Sequence, residues 1–134
     1  MMKRIVEIES LLEFYDVPRL FIAKDKADTR FICVLFDDEN VCKYLAIRAS
    51  FDTLNSFMAG KVDLKKLLLT PVVEDEYFIV TYQDNEYRLR PFHGILKEEM
   101  LPEDGYFYSG DWEEYLISRK SHPRSRRNPI AAIF

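Results

Sequence analysis

Apolar residues recur along the chain in three rhythms. Residues 4–14 (RIVEIESLLEF) fit two of them: Ile5, Ile8, Leu11 and Leu12 keep helical spacing, whereas Ile5-Val6 favours extended chain. Asp16-Val17-Pro18 predicts a turn, because a proline pushes the residue before it out of the helical region. Three strands follow. Residues 19–25 place Leu20 and Ile22 on one face. Residues 29–36 (TRFICVLF) are apolar on both faces, the mark of a strand covered on both sides. After the acidic turn at residues 37–40, residues 41–48 alternate Val41, Lys43, Leu45 and Ile47 with Cys42, Tyr44, Ala46 and Arg48. Together these strands read as an antiparallel meander.

The rhythm then turns helical. Ser50 is a suitable N-cap for a stripe of Phe51, Leu54, Phe57 and Met58 that ends at Gly60. Asp63 can cap a second short helix, with Leu64, Leu67 and Leu68 on one face and Pro71 as the stop. Both stripes are expected in the core. Residues 76–82 and 86–91 then form a hairpin around Asp84-Asn85, a two-residue loop suited to a primed turn. It pairs Tyr82 with Tyr87, Val80 with Leu89 and Phe78 with Pro91, and makes Phe78, Val80, Tyr82, Tyr87 and Leu89 the core face. The opposite face collects Tyr77, Ile79, Thr81, Arg88 and Arg90. Periodicity fades after Pro91, and a last helix of about two turns is expected from Asp111. The resulting expectation is an α+β fold: a mainly antiparallel twisted sheet of about five strands, a three-stranded meander plus a C-terminal hairpin, with two or three short helices.

Composition adds size and class. At 134 residues, 48% hydrophobic and 31% charged, the chain suits one core rather than two. Charge divides it unevenly. All 23 acidic residues precede residue 115, whereas residues 119–134 carry Arg119, Lys120, Arg124, Arg126 and Arg127 and no acid. The expected organisation is therefore one domain over residues 1–118 and a basic, partly flexible tail over 119–134 with an apolar end. Two cysteines without a secretory pattern predict a reducing, cytoplasmic setting, and no apolar run approaches the roughly 20 residues of a membrane span.

The motifs of catalysis are missing. Four scattered glycines make no phosphate loop, and Cys33, Cys42, His93 and His122 lack zinc-ligand spacing. The cysteines read as buried small hydrophobes and His93 as a structural or surface histidine. No Cys–His pair or nucleophile elbow is evident, and the acidic pairs lack the alternation of a calcium loop. No cofactor, metal or enzymatic activity is expected. What remains are surfaces: Tyr77, Arg88 and Arg90 on the hairpin, Arg124, Arg126 and Arg127 in the tail, and Ile130, Ile133 and Phe134 at its apolar end. They suggest a non-catalytic protein-interaction or regulatory module that binds a partner or itself. The alternative is an accessory that contacts nucleic acid through the basic tail.

Residues 14–24, Phe-Tyr-Asp-Val-Pro-Arg-Leu-Phe-Ile-Ala-Lys, resemble a small uncharacterised bacterial domain family with a Tyr-Asp-x-Pro-x-Leu-Phe opening followed by a meander. The resemblance extends over residues 12–71, through Gly60-Lys61-Val62-Asp63-Leu64-Lys65-Lys66-Leu67 to Pro71, with Val17 where glycine is expected. It implies a compact sheet with two short helices and a bacterial or phage origin, which suits an accessory or regulator of a conflict system. It implies no activity.

Overall fold

A computed structural model describes residues 4–108. Six antiparallel strands, paired in chain order, close into one barrel: β1 (Arg4–Tyr15), β2 (Val17–Lys24), β3 (Arg30–Asp37), β4 (Lys43–Ala49), β5 (Tyr77–Gln83) and β6 (Glu86–Phe92). Helices α1 (Phe51–Met58) and α2 (Leu64–Leu69) lie between β4 and β5, and a 3-10 turn, Glu98–Met100, follows β6. The expected α+β open twisted sheet of about five strands is thus corrected to a closed six-stranded barrel. The helix expected from Asp111 and the tail over 119–134 lie outside the described residues.

Closure depends on β1, which pairs with both β2 and β6. Its register against β2 shifts between Ile8 and Ser10, between Leu11 and Glu13, and between Glu13 and Phe14. Each irregularity resets which face the next side chain occupies and bends the strand. Val6, Leu11 and Phe14 consequently reach the interior at uneven intervals, while Leu12 joins the outer core. Uneven intervals of this kind imitate helical spacing. At its other edge β1 pairs Arg4, Ile5 and Val6 with Leu89, Arg88 and Tyr87 of β6. That short seam closes the barrel.

The interior draws on all six strands. Phe21, Phe31, Tyr44 and Phe78 alternate with the small Ala23, Cys33 and Ala46, which lets large rings fill a narrow lumen. Phe21 meets Tyr44 edge-on at 4.9 Å and Phe31 meets Phe78 at 5.3 Å. Arg4 lays its guanidinium over both Phe31 and Phe78, 5.9 and 5.6 Å from the ring centres.

A second core lies outside the barrel wall. Leu20, Ile22, Ile32, Val34, Leu45 and Ile47 point outward and are covered by Phe57, Leu64, Leu67, Leu68, Met100 and Tyr108. This explains why β3 is apolar on both faces. The helix caps form as expected: Ser50 accepts the Thr53 N–H, and Asp63 accepts those of Lys65 and Lys66. Gly60 has φ +72°, and a Cβ there would lie 2.7 Å from the Tyr108 carbonyl oxygen, so both conformation and space require glycine.

The β5–β6 hairpin has the expected register, and Asp84 and Asn85 both adopt left-handed φ angles, 55° and 64°. Phe78, Val80 and Leu89 are buried as expected. Tyr82 is not: it stands 37% exposed, because at the turn end of the hairpin the lumen opens to solvent. Tyr87 is half-buried there, against Phe21 and Tyr44.

Candidate interaction surface

Strand alternation puts Tyr77, Ile79, Thr81, Arg88 and Arg90 on the outward face of β5 and β6, but their surroundings give them different tasks. The Tyr77 hydroxyl donates to the Leu68 carbonyl oxygen at 2.8 Å and so ties β5 to α2. Arg88 is neutralised by the hairpin's own acids, at 2.8 Å to Glu86 and 2.9 Å to Asp84. Two members of the expected cluster thus make bonds within the fold. Arg90, further from the turn, is exposed and lines an open cleft of about 500 Å³.

The floor and walls of this cleft are Phe36, Ile79, Phe92, Ile95 and Met100, and its charged rim is Lys43, Arg90, Lys97, Asp37 and Glu99. Lys43 lies 4.0 Å from Asp37. Ile95 is 86% exposed, the most exposed large apolar side chain among the described residues. It sits in the aperiodic stretch after β6, where neither strand nor helix spacing signals which face a residue takes. Sequence reasoning therefore found Arg90 but missed Ile95 and Lys97 beside it.

A second open cleft, about 640 Å³, lies at the start of α1. Its lining includes Phe51, Leu54 and Asn55 from the helix, Val72 from the loop after α2, Asp28 from the loop before β3, and Arg30 and Arg48 from β3 and β4. On α1, positions 51, 54, 55 and 58 share one face, while Phe57 lies on the side that meets the outer core. Phe51 is 78% exposed and Met58 is also exposed. The expectation that the whole stripe is core is thus corrected: it is wider than the arc the barrel covers.

Arg124, Arg126, Arg127, Ile130, Ile133 and Phe134 lie outside the described residues, as does His122. Cys33 is buried in the lumen and Cys42 is half-buried. Across the β3–β4 hairpin Cys33 stands opposite Ala46 rather than Cys42. His93 is exposed. Among the described residues, no group of three or more His, Cys, Asp or Glu side chains could hold a metal ion. Nor is any helix among them long and apolar enough to cross a membrane. No protein-family model, curated protein or solved structure matches the chain.

Proposed function

We propose that the chain is a non-catalytic protein-interaction module whose barrel presents the Arg90 cleft to a partner. The observation that carries this reading is the side-by-side placement of an apolar floor, an almost fully exposed Ile95 and the cations of Arg90 and Lys97. Exposed apolar surface ringed by charge is the anatomy of a binding patch, with burial supplying affinity and the rim supplying selectivity. The matching ligand is a partner segment with a large apolar side chain next to a carboxylate. Nucleic acid fits the described body poorly: residues 4–108 hold 20 acidic and 13 basic residues, net −7.

Display of a random peptide library against the full chain tests the reading. Enriched peptides should pair Asp or Glu with an aromatic or aliphatic residue and lose binding to Ile95→Asp. Arg90→Glu should shift the enrichment toward Lys and Arg. Both positions are exposed, so neither substitution disturbs the fold. A library that yields no binder, or binders indifferent to both changes, would overturn the proposal.

A further inference from the structure

We propose that the second cleft, at Phe51, Leu54 and Val72, is the docking site for this chain's own residues 130–134. The apolar surface there is continuous in kind: Phe51, Leu54 and Val72 line the cleft, and Met58, Leu69 and Val73 beside them along the chain are exposed as well. Ile130, Ile133 and Phe134 supply matching apolar side chains.

Charge selects this occupant over others. The two guanidiniums in the cleft wall are already engaged by two carboxylate oxygens each. Arg30 bonds Glu9 at 2.9 and 2.6 Å, and Arg48 bonds Glu76 at 3.0 Å through both contacts. Apart from those two, the charged side chain lining the cleft is Asp28, and Asp52, Glu74 and Asp75 are exposed and near lining residues along the chain, as is Lys26. Arg124, Arg126 and Arg127, shortly before the apolar residues, have the charge opposite to Asp28 and the acids near it. The Arg90 cleft suits them less, because there Lys43, Arg90 and Lys97 outnumber Asp37 and Glu99.

Reach is ample. Tyr108 stacks on Phe57 with ring centres 5.7 Å apart, so the described chain ends against α1 itself. From Phe57 to Phe51 is six residues of helix, about 9 Å. Residues 109–129 could span that distance several times over, at about 3.3–3.6 Å per extended residue. Loop closure costs rise only slowly with length, and a tether holds its end at a local concentration near the millimolar range. A second copy, dilute in solution, competes poorly against that. This cleft is separate from the proposed partner site at Arg90.

The test uses the full chain with Phe51→benzoylphenylalanine, a photo-crosslinking analogue at an exposed ring position. Circular dichroism checks that the fold is retained. After irradiation of a dilute sample, mass spectrometry should find the cross-link on residues 128–134 within species of monomer mass. Ile133→Asp combined with Phe134→Asp should abolish it. Cross-links confined to species of dimer mass would overturn the proposal in favour of a second copy. A folded protein with no cross-link to residues 128–134 would overturn it outright.

Discussion

The Tyr44 hydroxyl donates a hydrogen bond to the Pro18 carbonyl oxygen at 2.8 Å, joining β4 to the start of β2 past the strand between them. Pro18 is the second residue of β2, two positions after the corner at Asp16, whose φ is +66°, so its carbonyl is fixed where the barrel turns. Burial raises the Tyr44 pKa well above the usual phenol value, keeping the hydroxyl protonated as a donor.

Tyr44→Phe should therefore destabilise the protein by about 1–3 kcal/mol, the cost of leaving a shielded carbonyl without its partner. The ring contact with Phe21 survives the change, so the loss isolates the hydroxyl. Urea midpoints of this variant and of Tyr82→Phe make the comparison. An equal shift in both would show that the Tyr44–Pro18 bond contributes nothing.

The hairpin supplies a test of register. Leu89 is 2% exposed in the lumen, and Leu89→Ala should cost about 2–5 kcal/mol. Tyr82→Ala should cost about 1 kcal/mol, because its ring keeps mainly the contact with Tyr87 at 4.6 Å. A larger loss for Tyr82→Ala would mean that the wrong face has been assigned to the lumen.

The local grammar of the chain was legible wherever one residue decides one conformation. Ser50, Asp63 and Asp84-Asn85 act through their own side chains or backbone, and they cap and turn as their types require. Barrel closure was not legible, because it depends on bulges in β1 whose effect is to erase the alternation that identifies a strand. The candidate surface divides in the same way. Alternation placed Arg88 and Arg90 on one face, but only the fold shows Glu86 and Asp84 claiming the first and leaving the second at a cleft. Phe51 reads as core for a related reason: a sequence gives the width of an apolar stripe and not the width of the surface available to cover it.

Acid should weaken the protein through Asp63. Its carboxylate accepts the Gly105 N–H, which lowers its pKa most; burial opposes this, and the Lys66 and Lys65 N–H groups lower it further. The folded pKa thus lies below the ordinary aspartate value of 3.8. The unfolded chain then binds more protons, so this stabilisation is complete above that value and is lost as pH falls through the folded pKa. Glu9, lowered chiefly by the Arg30 hydrogen bond, acts with the same sign. Asp63→Asn keeps an acceptor but cannot titrate. Its melting temperature should fall less steeply than wild type between about pH 5 and pH 3. Identical slopes would assign the acid sensitivity to other carboxylates.

The two thiols should report different openings of the barrel. Burial pushes the Cys33 thiol far above its usual range, in the closed lumen among Phe21, Phe31 and Ala46. Cys42, half-buried before β4, is also raised by burial first; the neighbouring Tyr44 hydroxyl works against this, and Asp38 and Asp37 add to it. The thiolate is the reactive form, so both should label slowly at neutral pH, and Cys42 should label before Cys33. Cys42 needs only local fraying, whereas Cys33 needs the barrel to open. Destabilising the lumen with Leu89→Ala should therefore speed Cys33 labelling by about tenfold for every 1.4 kcal/mol lost, when opening is fast relative to labelling. Cys42 should change little. Rapid labelling of Cys33 in the native wild type, or equal acceleration of both thiols, would place Cys33 outside the closed lumen.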